Sequence, residues 1–441
     1  MQSIENFTNE LSSFIWGVPM LVLLVGTGVY LTFKLRGIQF WALFYAFKLI
    51  FSKDEKDAKG EISHFSALMT ALAATVGIGN IVGVATAITL GGPGAVFWMW
   101  VTGLVGMATK YSEALLALKY RREGKYGMHG GPMYYLTYGA NMPKLGFAFA
   151  IFTVIASFGI GNMTQSNAVA EVLSAEFEIS NFTSGIVMLV LTGLVVLGGI
   201  KSIAKVTSIL VPFMIAIYLT TALIIIFLNL EKVPDAFGLI FYHAFNPIAA
   251  GGGFIGATIA AAIRYGIARG VFSNESGLGS APIAAAAAKT KEPVKQALVS
   301  MTQTFIDTLV VCTMTAIIIL ISPFWQEGVS AGTLTMQSFT YNLGEIGGIV
   351  VLVATILFAY STLLGWSYYG EKAFEFIFGE KSVKLYRVVF ISIILVGATL
   401  KLELVWAFSD VANGLMAIPN LIALLLLSNI IKSETDRYFK L

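Results

Sequence analysis

The sequence predicts an all-α polytopic membrane protein with about eleven transmembrane helices, built as one extra N-terminal helix before a five-plus-five inverted repeat. Composition, apolar runs of membrane-spanning length and two glycine-rich interruptions predict this class. The 441 residues are 57% hydrophobic and 12% charged, a balance typical of chains whose solvent is lipid. A formal net charge of +3 is too small to indicate a nucleic-acid partner.

Apolar runs of about 20 residues are long enough to cross a bilayer. The predicted spans cover residues 13–33, 66–91, 94–118, 146–173, 183–199, 203–229, 252–286, 296–322, 337–369, 383–400 and 404–431. With this count, the cation-rich loops fall on one side of the membrane. The positive-inside rule then predicts an outer N-terminus and a cytoplasmic C-terminus.

Two spans carry glycine-rich interruptions, which read TVGIGNIVG in the first and GVFSNESGLGSAP in the second. Each opens a block of five spans, and an odd number of spans makes the two blocks enter from opposite faces. The predicted divisions are an N-terminal helix and loop at 1–65, repeats at 66–229 and 252–430, and a tail at 431–441. Close packing of small residues is the alternative explanation for such glycines.

Motifs of enzymes are missing from the sequence, so we expect neither catalysis nor a cofactor. His64, His129 and His243 are far apart, lack metal-ligand spacing and fall in or near predicted loops, where lone histidines are usually solvated. The single cysteine, Cys312, lies in an apolar run and is expected to fill the core. A channel remains an alternative, because an interruption with Asn and Ser could line a pore.

Three long strings resemble the alanine or glycine:cation symporter family, also called sodium:alanine symporters. They read ATVGIGNIVGVATAITLGGPGAVFWMW, GMATKYSEALLALKYR and GIARGVFSNESGLGSAPIAAAAA. The resemblance implies a LeuT-type core in a prokaryotic inner membrane, importing alanine or glycine with Na⁺ as the coupling ion. Proton coupling is the alternative. Residues 207–228 contain no charge, and proton-coupled relatives of this fold often place a lysine there, so we prefer sodium.

The substrate site is expected between the two interruptions. An amino acid offers a carboxylate, which free amides at a helix start can bind, and an ammonium, which free carbonyls can bind. The predicted substrate residues are Thr75, Gly77, Ile78, Gly79, Asn80, Gln165, Phe272, Ser273, Ser276 and Trp366. For Asn80 a helix cap is the alternative role.

Gln165 and Trp366 each have two interpretations. The family resemblance implies that Gln165 faces the substrate and that Trp366 forms a pocket wall limiting substrate size. Residues of these types also join helices by hydrogen bonds or form the aromatic belt at the membrane surface. Both alternatives stay open at this stage.

The predicted sodium site combines one helix face with the first interruption. Phe358, Ser361 and Thr362 have i, i+3, i+4 spacing, which places a carbonyl and two hydroxyls on one face. The resemblance to LeuT-type sodium sites adds the carbonyls of Ala73 and Val76 as ligands. The alternative is that the hydroxyls bond back to the preceding helical turn.

Further charged residues lie within or near the predicted spans, where charge is costly and usually functional. These residues are Glu113, Arg264, Arg269, Glu275 and Asp307. An ion pair between Arg269 and Glu275, or a gate, is as compatible with the sequence as substrate contact. The sequence therefore assigns no role to any of them.

Overall fold

The computed structural model describes residues 10–52, 57–125, 127–249, 256–400 and 402–440, with the backbone alone at 402–408. Its first half contains the helices α1 Val18–Lys34, α2 Ile38–Trp41, α3 Leu43–Ile50, α4 His64–Thr75, α5 Val82–Gly91, α6 Gly94–Lys119, α7 Pro132–Tyr134, α8 Pro143–Phe158, α9 Thr164–Phe177, α10 Asn181–Val196 and α11 Gly199–Leu228. The antiparallel hairpin of β1 Arg122–Gly124 and β2 Gly127–His129 follows α6.

The second half contains α12 Val233–His243, α13 Ile259–Asn274, α14 Pro282–Ala285, α15 Pro293–Thr304, α16 Thr313–Leu320, α17 Ala331–Leu343, α18 Glu345–Phe378, α19 Val383–Thr399, α20 Leu402–Leu426 and α21 Ser428–Phe439. Wider π-helical turns occupy Tyr135–Gly139, Gly159–Met163 and Phe305–Cys312, and 3₁₀ turns occupy Ile78–Asn80 and Glu380–Ser382. The all-α prediction is confirmed.

Among the described residues, six helical segments are long and apolar enough to cross a membrane, or seven if α4 and α5 form one bent span. The six are Pro143–Phe177, Gly199–Leu228, Pro293–Leu320, Glu345–Phe378, Glu380–Thr399 and Ser409–Leu426. Helices α1 and α10 are apolar but shorter. The predicted count of eleven is therefore not confirmed, and the predicted start of one span at residue 252 lies outside the described residues.

The first predicted interruption is a real break. Helix α4 ends at Thr75, a 3₁₀ turn follows at Ile78–Asn80, and the axes of the two helical parts differ by 59°. We call residues 76–81 the first break. The glycines at 77 and 79 let the chain leave the helix cheaply.

The second predicted interruption is also a break. Helix α13 ends at Asn274, and α14 begins only at Pro282; we call residues 275–281 the second break. Glu275 has φ +57° and closes α13, while Gly277 and Gly279 have φ of +91° and +79°. Glycine adopts these left-handed conformations without the strain of a side chain. The division into two inverted repeats stays a prediction.

Small residues bring the second broken helix against α6. A Cβ at Gly266 of α13 would overlap the carbonyl oxygen of Ala95, and one at Gly270 would overlap the hydroxyl of Thr102. The spacing of these glycines is the small-xxx-small pattern of close helix pairs in membranes. Close packing of small residues, the alternative explanation for the glycines, therefore accounts for Gly266 and Gly270, which precede the second break on α13.

We predict that Gly266→Ala lowers the melting temperature of the detergent-purified protein. The added methyl meets the backbone of Ala95, which cannot yield as a flexible side chain could, and overpacking costs roughly 1–3 kcal/mol. Gly83→Ala on α5 is the matched control, because a Cβ there meets nothing within 4 Å. Equal melting temperatures for the two variants would contradict the close α6–α13 contact.

Candidate functional site

The two breaks lie against each other inside the protein. A Cβ at Gly79 would lie 3.2 Å from Ser273 Cα and 3.3 Å from Phe272 Cδ1. The predicted substrate residues are all buried, and Phe272 and Ser276 are the most exposed of the non-glycine ones at 5%. Chain positions about 200 residues apart thus share one enclosed region.

Asn80 organises the first break. Its Oδ1 accepts a hydrogen bond from Gly77 N at 2.9 Å, and its Nδ2 donates to Asp307 Oδ1 at 2.7 Å. Through its contact with Gly77, Asn80 acts as a helix cap, which was the alternative role. The contact occupies the Gly77 amide, one of the amides predicted to bind the substrate carboxylate. The amides of Ile78 and Gly79 take no part in these hydrogen bonds.

Asp307 joins both breaks through its carboxylate. It is fully buried in the π-helical segment Phe305–Cys312, and it accepts hydrogen bonds from Ser273 Oγ at 2.9 Å and Thr308 Oγ1 at 2.8 Å in addition to Asn80. The sequence alone assigned this residue no role. The available signal was an acid inside an otherwise apolar span.

The remaining polar residues of the predicted substrate site, Thr75 and Ser276, form hydrogen bonds close to the breaks. Thr75 Oγ1 donates to Ala71 O at 3.2 Å and accepts from Gln303 Nε2 at 3.1 Å. Ser276 Oγ lies 3.0 Å from Thr304 Oγ1. Cys312 is buried, as expected, but its Sγ also contacts polar groups of the site.

Glu113 and Asn420 hold the backbone of the second break. Glu113 Oε1 accepts hydrogen bonds from the amides of Gly277 and Gly279, each at 3.1 Å, and from Asn420 Nδ2 at 2.6 Å. Asn420 Nδ2 also donates to Gly277 O at 2.9 Å. A single carboxylate therefore satisfies two amides that leave the helix, as backbone buried at membrane depth requires.

Glu275 and Arg269 do not pair with each other. Glu275 accepts hydrogen bonds from Trp366 Nε1 and Ser280 Oγ, both at 2.6 Å. Arg269 Nη2 instead donates to Asp410 Oδ2 at 2.6 Å. The alternative of an Arg269–Glu275 ion pair is therefore wrong.

Gln165 bonds within its own helical segment. Its Nε2 donates to Ile160 O at 3.0 Å across the π-helical turn, and its buried Oε1 has no hydrogen-bond partner among the described residues. A Cβ at Gly77 would lie 3.5 Å from that oxygen, so Oε1 borders the first break. The interhelical alternative is wrong for Gln165 and right for its neighbours, because Asn162 and Asn167 donate to carbonyls of the segment 390–400.

Trp366 is fully buried, so the alternative of an interfacial belt is wrong. A Cβ at Gly161 would overlap the Trp366 side chain, and only glycine fits there. The indole therefore lies between the π-helical turn of Gly159–Met163 and Glu275 of the second break.

The five predicted sodium ligands come together between α4 and α18. Ser361 Oγ lies within hydrogen-bond distance of three carbonyl oxygens, those of Ala73 at 3.1 Å, Val76 at 3.4 Å and Phe358 at 2.9 Å. Thr362 Oγ1 donates to Phe358 O at 2.9 Å. The back-bonding alternative therefore also holds, since Phe358 is one turn earlier on the same helix.

Two polar contacts tie together segments that flank the site. Arg121, at the end of α6, donates to four carbonyl oxygens at 2.7–2.9 Å. These carbonyls belong to Lys59, before α4, and to Ala286, Ala288 and Thr290, after α14. We call this contact the Arg121 latch. On the other side of the second break lies the Arg269–Asp410 ion pair.

Two of the histidines expected to be solvated are buried. His64 Nδ1 lies 2.6 Å from Gln296 Oε1, and His129 Nδ1 lies 3.1 Å from Tyr134 OH. Burial, helped by the positive charge of Lys372, lowers the pKa of His129 to about 4. Ligand atoms of His129, Glu375 and Glu380 lie within 4.8 Å of one another, but Lys372 Nζ already neutralises Glu375 at 2.9 Å.

Comparisons with known proteins agree with this architecture. The model of the sodium:alanine symporter family matches residues 1–441. The sodium/alanine symporter AgcS of Methanococcus maripaludis is 53% identical, covering 98% of this chain and 97% of that protein. An uncharacterized transporter of Haemophilus influenzae is 52% identical, and the alignment covers 99% of this chain and 97% of that transporter.

Among solved structures, MhsT in complex with L-phenylalanine superposes with a TM-score of 0.61 at 14% identity, covering 86% of this chain and 99% of that one. That likeness shows a LeuT-type fold. The chain is therefore a multi-pass membrane transporter that carries out amino-acid symport, and not an enzyme. It belongs to the sodium:alanine symporter family.

Proposed function

We propose that this symporter couples sodium entry to the uptake of alanine or glycine across a prokaryotic inner membrane. The observation that supports it best is that the Ser361 hydroxyl lies within hydrogen-bond distance of carbonyl oxygens from both α4 and α18. One proton can serve only one of those acceptors at a time. A small cation bound among these oxygens would be coordinated by all of them together.

The chemistry of this oxygen set suits sodium. Its members are neutral carbonyls and hydroxyls, which are hard ligands of the kind that group 1 and group 2 cations prefer. Ala73 and Val76 lie at the C-terminal end of α4, where the helix dipole adds partial negative charge. The proposed ion binds where α4 and α18 meet, and it therefore favours conformations that keep these helices together.

The geometry around the breaks supports a small substrate. The amides of Ile78 and Gly79 lie at the start of the 3₁₀ turn within the first break, where a carboxylate is favoured. Gln165 Oε1 borders the same break and is free to accept from an ammonium. Trp366 and Phe272 are both buried, and we expect these two bulky side chains to exclude a substrate side chain much larger than a methyl group.

Alternating access requires that each closed side can open. The Arg121 latch joins segments next to both broken helices, and we assign it to the cytoplasmic side, with the N-terminus outside. The Arg269–Asp410 ion pair is then the extracellular closure. The alternative of proton coupling lacks the lysine that proton-coupled relatives place in this span, because residues 207–228 of α11 carry no charge. A channel would not need two closures.

Uptake into proteoliposomes tests the function. With an inward sodium gradient, labelled alanine should accumulate, saturate and exchange with unlabelled alanine inside. Replacing sodium with choline at constant ionic strength should abolish accumulation. Uptake that ignores sodium but follows a pH gradient would favour proton coupling, and conductance without exchange would favour a channel.

We predict that Thr362→Ala raises the sodium concentration for half-maximal uptake by about tenfold, which is the effect of roughly 1.4 kcal/mol of lost binding free energy. The variant removes one proposed ligand oxygen, so saturating sodium should largely restore transport. Thr355→Ala is the matched control, because Thr355 is buried on the same helix and bonds back to Val351 O. A Thr362 variant with the sodium dependence of the control would exclude the hydroxyl as a ligand.

We predict that Gln165→Ala weakens alanine binding and leaves thermal stability almost unchanged, because its lost bond lies within one helical segment. Asn162→Ala should do the reverse, since Asn162 donates to Phe390 O at 2.7 Å on another helix. Leaving such a carbonyl unsatisfied costs roughly 1–3 kcal/mol. Alanine affinity and melting temperature should be measured on both proteins, and loss of stability alone in Gln165→Ala would remove it from the site.

We predict that Arg121→Gln opens the proposed cytoplasmic side. The readout is the rate at which Ala285→Cys, buried below the latch on α14, reacts with an impermeant maleimide in a Cys312→Ala background. The rate should rise at least about tenfold, since one charge-assisted hydrogen bond contributes roughly 1.5–3 kcal/mol. Arg122→Gln is the control, because its exposed side chain lies over Tyr138. Equal rates in both variants would contradict a latch.

A further inference from the structure

Four ionisable side chains lie buried around the two breaks. Lys110, Glu113 and Asp307 are 0% exposed, and Glu275 is 1% exposed. Charges at membrane depth are costly unless they are paired or used. Lys110 is the member of this group that sequence analysis did not single out.

Lys110 is directed to the second break by its position on α6. Gly106, Lys110 and Glu113 have the spacing of one helix face. A Cβ at Gly106 would lie 2.8 Å from Ser276, and Glu113 binds Gly277 N at 3.1 Å. Lys110 therefore lies between two points where this face touches the second break.

The three carboxylates receive hydrogen bonds but no positive charge from their direct partners. Asp307 accepts from Asn80, Ser273 and Thr308, and Glu275 accepts from Trp366 and Ser280. Glu113 accepts from two backbone amides and from an asparagine. Every one of these donors is neutral. The negative charges of the three carboxylates are therefore stabilised by hydrogen bonds but are not paired with a positive charge in these contacts.

Lys110 is the cation that acts on all three acids. Its ammonium lies within electrostatic range of Glu113, Glu275 and Asp307. Nevertheless, Lys110 Nζ has no hydrogen-bond partner among the described residues, and neither does Glu113 Oε2 one turn away. The ammonium is thus not locked to one carboxylate, and it offsets one unit of the negative charge that the three acids carry as a group.

We propose that Lys110 is a resident cation of the transport site, taking the place of a second transported cation. Asp307, Asn80 and Ser273 offer a carboxylate, an amide and a hydroxyl, a set that would bind a metal cation if the ammonium were gone. With Lys110 present, one transported sodium per substrate is sufficient. This inference rests on the proposed sodium coupling, and it adds a stoichiometry and a residue that sets it.

The wild-type test is the ratio of radioactive sodium to labelled alanine taken up by proteoliposomes during initial uptake. The expected result is a ratio of one, with a hyperbolic sodium dependence. A ratio of two overturns the inference and leaves sodium-coupled uptake standing. A protein indifferent to sodium fails the proposed function itself, so the two failures are distinguishable.

The variant test is Lys110→Met, which keeps the length of the side chain and removes its charge. Sodium-dependent alanine binding should become sigmoidal, with a Hill coefficient approaching two, and the half-saturating sodium concentration should rise about tenfold. Lys110→Arg should keep the hyperbolic curve. Lys119→Met, on the same helix but paired with Glu434 at 2.5 Å, should also keep it.

A charge-balancing double variant separates charge from packing. Lys110→Met combined with Asp307→Asn removes one charge of each sign, so its sodium dependence should return to a hyperbola. A hyperbolic curve with unchanged half-saturation in Lys110→Met alone contradicts the inference. If that variant does not fold, the wild-type ratio still decides.

Discussion

Backbone groups released from a helix inside a membrane protein need polar partners, because water is absent there. Two breaks release such groups, and a few side chains from within the breaks and from other helices satisfy them. Glu113 and Asn420 hold the second break, while Asn80 holds the first and connects it to Asp307. Binding chemistry is available between the breaks because not every freed group is used in this way.

The sequence predicted the breaks well, because glycine pairs such as Gly77 and Gly79 have a local effect on the backbone. It also predicted that Phe358, Ser361 and Thr362 share one helix face, since i, i+3, i+4 spacing fixes which residues do so. Partners distant in the chain were not predictable, because a single sequence carries no signal for the contact of Glu113 with Gly277. For Gln165, the choice between two interpretations required the orientation of one side chain, which the π-helical turn determines.

Hydrogen bonds and charge play separate parts in this site. The buried acids obtain their hydrogen bonds from neutral donors, which fix the positions of the breaks. Charge balance is left to a lysine and to the ions and substrate that arrive. In the proposed function, such a site changes its net charge when sodium binds, and that change would give the ligands a differential affinity for open and closed states. In the same proposal, the Arg121 latch and the Arg269–Asp410 pair set the energetic cost of each opening.

We propose that sodium and substrate stabilise the same arrangement of α4 and α18, and this coupling is measurable as reciprocal binding. Alanine affinity should be measured across a sodium titration, and sodium affinity across an alanine titration, with choline keeping the ionic strength constant. Each ligand should tighten the other by the same factor, as thermodynamic linkage requires. An alanine affinity that is independent of sodium but varies with pH would contradict the claim.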